Sequence, residues 1–159
     1  MGTDNLRGVE AIYRIMDILK SELSSNPFCN NVTVGMLTEI DLQKMSIFPM
    51  AHISLESVTH NDNSLNFRIT IFNLDIVEVS KDQQQNDIYG NDNLLYIWQN
   101  QLYVINKLVN KIKSSMTYYD GWEINNNPQS EFINKELENM LAGYQTTIEL
   151  TVPNDMNKC

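Results

Sequence analysis

The chain is short of cysteine, histidine and basic residues, and each shortage removes a class of protein. It has two cysteines in 159 residues, Cys29 and Cys159. A disulfide framework or a four-cysteine zinc site is therefore excluded by count, and a reducing cytosol is the expected place of synthesis. The only histidines are His52 and His60, and a zinc or acid–base role would need further ligands or a partner held at fixed geometry. His52 falls on the polar phase of an expected strand and His60 in an expected turn, so both read as structural residues. Lys and Arg together number 11 against 20 Asp and Glu, a formal net charge of -9. That balance disfavours binding to phosphate backbones, which requires bases. No Gly-rich phosphate loop, nucleophile elbow or His-Glu-x-x-His helix is present. Apolar runs are interrupted by Asn, Gln or Lys well before the roughly 18 residues of a membrane span, and Met1 to Arg7 has no basic region leading into an apolar run. The expectation is a chain with neither a signal peptide nor a transmembrane helix.

What is present is an ordinary apolar fraction of 42% in a length suited to one domain, enough to bury roughly 70% of the unfolded surface. Asparagine is frequent, as in Asn125-Asn126-Asn127, and with that apolar fraction it reads as composition and not as disorder. No internal repeat or second domain is found, so residues 1–159 are expected to form a single α+β unit.

Periodicity places the elements. Leu6, Val9, Ile12, Met16, Leu19 and Leu23 recur at helical spacing and predict a helix over about 4–24, with Asp4 as N-cap. Val32 to Met36 reads as a short strand with a bulge at Gly35. After Pro49, Ala51, Ile53 and Leu55 alternate with His52, Ser54 and Glu56, the pattern of a half-exposed strand. The turn-forming run Thr59 to Ser64 leads into Leu65, Phe67, Ile69 and Ile71, so the spacing predicts a β-hairpin over about 50–79. The apolar set changes phase at Ile71-Phe72, which predicts a bulge or a change of partner there. Ser80 to Asp92 is polar and aperiodic, with only Ile88-Tyr89 as an apolar pair, and is expected to be a loop or projecting arm. Asp92 can cap a helix over about 93–115. In it Leu95, Trp98, Leu102, Ile105, Val109 and Ile112 form a stripe widened by Leu94, Ile97, Val104 and Leu108, an apolar surface broad enough for more than one neighbour. Met116 to Gln129 is irregular around the aromatic group Tyr118, Tyr119 and Trp122. A closing strand over about 142–152 follows, with Ala142, Tyr144, Ile148, Leu150 and Val152 in one phase.

Two clusters carry candidate chemistry. Asp75, Glu78 and Asp82 line the end of the long strand, where they suit either a divalent cation or a solvated edge that discourages wrong pairing. Tyr118, Tyr119 and Trp122 suit either a small core pinning its own loop or an interface anchor.

Three segments taken together, Phe48-Pro49-Met50-Ala51-His52-Ile53, Phe72-Asn73-Leu74-Asp75-Ile76-Val77, and Ala142-Gly143-Tyr144 leading to Val152-Pro153, resemble small virion proteins of tailed phages infecting Bacteroidetes, including crAss-like phages. The order of elements also resembles tail-terminator and neck-ring proteins of tailed phages. The resemblance implies an α+β fold, a mixed and mainly antiparallel sheet with a long β-hairpin packed by two main helices. It implies a virion protein that forms a ring in the head-to-tail connector or completes the tail. Such a ring is a homo-oligomer with a copy number that is a multiple of six, contacting portal, neck and tail proteins and passing DNA through its channel without reading sequence. Assembly would take place in the bacterial cytoplasm. No enzymatic activity, catalytic residue, metal, cofactor or membrane contact is implied. The subunit-interface candidates are Asp82, Ile88, Tyr89, Tyr118, Tyr119 and Trp122. An acidic lumen would repel DNA and let it slide. The competing readings are a non-ring assembly adaptor or chaperone, and a metal-dependent nuclease built on Asp75, Glu78 and Asp82, which the missing basic path disfavours.

Overall fold

A computed structural model describes residues 11–36, 47–78, 92–116, 122–124, 127–136 and 140–154. Within them the chain forms helix α1 (Ala11–Ser24), strands β1 (Asn31–Val34), β2 (Met50–His60) and β3 (Ser64–Ile76), helix α2 (Leu94–Lys111) running into a π-helical turn (Ile112–Met116), and strands β4 (Glu123–Ile124), β5 (Gln129–Glu136) and β6 (Leu141–Pro153). The fold is α+β. The six strands form one mixed sheet in the order β1-β2-β3-β6, and β4 and β5 both pair with the remaining edge of β6. Only β1 runs parallel to its neighbour; every other pairing is antiparallel.

Alternation decides what each face of the sheet carries. Leu65, Phe67, Ile69 and Ile71 of β3 share one face with Ile148, Leu150 and Val152 of β6 and with Ala51 and Ile53 of β2, and the two helices pack on that face. α1 contributes Ala11, Ile15, Leu19 and Leu23, a strict four-residue repeat. The sequence reading placed Ile12 on this face. Ile12 is instead 46% exposed, because the buried stripe runs through Ala11, whose small side chain lets the helix lie close to the sheet. Burying Ile15, Leu19 and Leu23 stabilises the fold by roughly 1.5–3 kcal/mol each before chain entropy is charged against it. α2 is likewise centred on Ile97, Gln101, Val104, Ile105 and Leu108, the widening set of its stripe, while Leu95 and Leu102 face out. Gln101 is buried because its amide donates to the Phe28 carbonyl at 3.3 Å, tying α2 to the chain leaving α1.

The opposite face is apolar over one half only. There Met50, Phe72, Leu74, Ile133 and Leu141 form a second cluster on which Phe48 packs. This corrects three expectations. β3 has no phase break at Ile71-Phe72, since its register with β6 is continuous from Ser64↔Pro153 to Ile76↔Leu141; Phe72 and Leu74 simply occupy the second face where that face too is covered. The one irregularity of this strand pair lies in β2, between Leu55 and Ser57. His52, expected on an exposed polar face, is 1% exposed, because the start of β2 is covered on both sides. Gly35 lies just beyond β1 and not within it, with φ of 148°, and its N–H donates to the Ile53 carbonyl at 3.1 Å, so it ends the strand.

Asp92 behaves as a helix-start residue, its carboxylate accepting the Leu94 N–H at 3.2 Å. The next residue, Asn93, ties α2 to the end of the sheet. Its side chain accepts from the Glu78 N–H at 2.8 Å and donates to the Ile76 carbonyl at 3.4 Å. β5 is the strand the sequence concealed: Glu131, Phe132 and Asn134 are exposed and only Ile133 is buried, so no alternation is legible. The expected polar loop falls almost wholly outside the described residues, as do Leu6, Val9 and Asp4.

Gly143 is the tightest point of the sheet. Its φ is 152°, and a Cβ there would stand 1.7 Å from the Asn73 carbonyl oxygen of β3. Only glycine satisfies both constraints. Gly143→Ala is expected to destabilise the domain by more than about 4 kcal/mol, read as loss of a cooperative chemical-denaturation transition. Ile148→Asp, which places an unpaired charge at a position 1% exposed, is expected to give the same outcome. A soluble Ile148→Asp protein melting like wild type would show that the buried face of β6 is misassigned.

Candidate functional site

The chemistry-bearing residues are scattered. His52 is held from β1, its Nδ1 lying 2.7 Å from the Thr33 hydroxyl, and its ring stacks obliquely on Phe72 at 6.3 Å. It is walled in, and His60 is exposed at the far end of the same strand. Cys29 is buried with its thiol 3.4 Å from the Asn31 carbonyl, and burial pushes its pKa up. A thiol so placed is a poor nucleophile. Asp75 is half-buried at the end of β3. Burial raises its pKa above the ordinary carboxylate range, a hydrogen bond from the Ile76 N–H at 2.8 Å pulls it down, and the nearby charge of Glu78 pushes it up again. Asp82, the third member of that acidic series, lies outside the described residues. Among the described residues no group of three or more His, Cys, Asp or Glu is gathered closely enough to hold a metal ion, and no helix is long and apolar enough to cross a membrane.

The uncovered half of the second sheet face is polar. Glu56, Arg68, Thr70, Gln145 and Thr147 line a shallow depression of about 360 Å³, with the Thr70 and Thr147 hydroxyls 3.2 Å apart across the strand pair. Register places Glu149 opposite Arg68, Glu131 opposite Gln145 and Glu123 opposite Thr151 on this same face. Four glutamates, Glu56, Glu123, Glu131 and Glu149, thus share it with Arg68. The arrangement is an acidic surface and not a pocket, since it encloses nothing.

Aromatic groups gather on the helix side. Trp98 of α2 meets Phe132 of β5 edge-on with ring centroids 5.0 Å apart, and Phe132 meets Tyr144 at 5.0 Å. The Trp98 indole donates to the Ile133 carbonyl at 3.2 Å, so this group locks α2 onto the edge strand. Tyr144 is shielded enough for burial to raise its pKa.

Of the six residues expected at a subunit interface, Asp82, Ile88, Tyr89, Tyr118 and Tyr119 lie outside the described residues. Trp122 is 3% exposed and belongs to the main core. The surface apolar residues that the sequence reading did not single out as interface candidates are on α2: Leu95, Tyr96, Leu102 and Tyr103, all substantially exposed. Their signal was the excess width of the α2 stripe.

Compared with protein-family models and with curated proteins, the chain matches none.

The Asp75 carboxyl gives a pH prediction. Because its folded pKa is raised, the folded state holds a proton more tightly than the unfolded chain does, and stability falls as pH rises from the unfolded value, about 3.9, through the folded one. Asp75→Asn keeps the acceptor for Ile76 and removes the charge. It is expected to raise the denaturation midpoint at pH 7 and to lose that advantage below about pH 4. A variant less stable than wild type at pH 7 would show that the charge is compensated.

Proposed function

We propose that this chain is a structural subunit of a tailed-bacteriophage particle, forming a ring in the head-to-tail connector or at the end of the tail and lining the channel through which DNA passes. The observation that supports it best is the open sheet face, with Glu56, Glu123, Glu131 and Glu149 against Arg68. Turned toward a channel and repeated around it, such a surface repels a polyanion at every point and offers it no place to bind. The half-buried polar positions between the glutamates, Thr70, Thr147 and Gln145, leave no apolar patch for DNA bases to stack on. The resemblance of the Phe48–Ile53, Phe72–Val77 and Ala142–Tyr144 segments to phage virion proteins points the same way, and the absence of a gathered catalytic or metal cluster among the described residues leaves no competing chemistry to explain.

Quantitative peptide mass spectrometry on purified phage particles tests the reading. The expected result is a fixed copy number per particle that is a multiple of six. Presence in infected cells but absence from finished particles would overturn it in favour of an assembly adaptor or chaperone.

A further inference from the structure

We propose that the outer face of α2 seats the β2–β3 arm of a second copy of this chain. The contact rests on the ring reading above and names its subunit interface. α2 buries Ile97, Gln101, Val104, Ile105 and Leu108, so its opposite face carries Leu95, Tyr96, Leu102 and Tyr103, which are 45%, 64%, 44% and 47% exposed. Single exposed apolar side chains are ordinary, whereas four adjacent ones on two helical turns form a patch that water disfavours. Tyrosines and leucines on a rigid helix also lose little conformational entropy on docking. Farther along the same face come the exposed Lys107 and Lys111, and residues 94–116 contain no Asp or Glu in a chain that has 20.

The arm offers the complement. β1 pairs only with Met50 to Ile53 of β2, and beyond them no described strand lies on the outer side of β2. Leu55 and Val58 project there on the helix side of the sheet, opposite Ile69 and Phe67, and are 42% and 39% exposed. Residues 54–63 contain Glu56 and Asp62 and no Lys or Arg. A basic segment free of carboxylates thus faces an acidic one free of Lys and Arg, each with apolar side chains beside its charges. Two α2 faces meeting each other would set lysine against lysine, so the favoured contact is heterologous, arm to helix. Such a contact uses one arm and one helix of every copy and therefore propagates until the rotation closes a ring.

Light scattering coupled to gel filtration over a concentration series tests this with the full chain. Wild type is expected to form oligomers larger than dimers. The double variant Leu102→Glu, Tyr103→Glu and the single variant Val58→Glu should each associate about 100-fold more weakly or worse, with melting temperatures unchanged because all three positions are exposed. Tyr13→Glu, at a position 74% exposed on α1, should assemble like wild type. Mixing supplies the decisive readout: the helix variant retains its arm and the Val58 variant retains its helix, so together they should form 1:1 dimers that extend no further. If wild type assembles but the variants do so equally well, or the mixture stays monomeric, this contact is overturned and the ring reading stands. A wild-type chain that is monomeric at every concentration overturns the ring reading itself.

Discussion

The pairing of β3 with β6 is the constraint on which the rest of the molecule depends. It runs without interruption from Ser64↔Pro153 to Ile76↔Leu141, joining segments far apart in sequence, and both strands present their apolar phase to the helices. Everything else hangs from its two outer sides. β2 and then β1 extend the sheet from β3, and β4 and β5 share the far edge of β6. One slip of register would carry Ile69 and Ile148 to the polar face together, so the register is fixed by burial along its whole length. Gly143 is the local condition for it. Where the Asn73 carbonyl closes on β6 there is no room for a Cβ, and the strands stay paired only because the position has none.

This account explains which parts of the fold were legible. β6 reads clearly because one of its faces is covered throughout and the other is polar over most of its length, so Ala142 to Val152 alternate. β3 reads well to Ile71 and then misleads, because Phe72 and Leu74 are buried on the second face by a different cluster. A sheet covered on one side in one half and on both sides in the other produces a hydrophobic pattern that changes character without any change in geometry. His52 was misplaced for the same reason. Helix α2 was found but rotated: with apolar residues nearly all round, periodicity gives its existence and leaves the buried side undetermined. β5 could not be found from pattern, since an edge strand with one buried side chain is held mainly by backbone hydrogen bonds, which are blind to sequence.

The candidate surface was legible only as an excess. The α2 stripe contained more apolar positions than one core contact needs, and the structure resolves the surplus into Leu95, Tyr96, Leu102 and Tyr103. Trp122, the most conspicuous aromatic of the irregular region, is consumed by the main core. Aromatic clustering in sequence does not by itself distinguish a core from an interface, because both reward the same large, stiff side chains. Exposure separates them, and exposure depends on register and helix rotation, the two quantities the sequence left least determined.

Charge is distributed in a way that net charge conceals. The chain is strongly acidic, yet the carboxylates avoid the whole of α2 and collect on the open sheet face and the β2–β3 arm. Uniform acidity would make all faces of neighbouring copies repel. Segregation instead leaves one orientation in which unlike surfaces meet, and this gives a head-to-tail polarity without any strong single interaction. On the ring reading, two electrostatic effects then oppose one another. Salt screens the repulsion among glutamates facing across a channel and also weakens the attraction between Lys107 or Lys111 and the arm of the next copy. The first acts over longer distances and is screened at lower ionic strength, while the second acts at contact and persists further. Association should therefore strengthen as salt is first added and weaken only later, with the apolar patch on α2 holding the contact throughout.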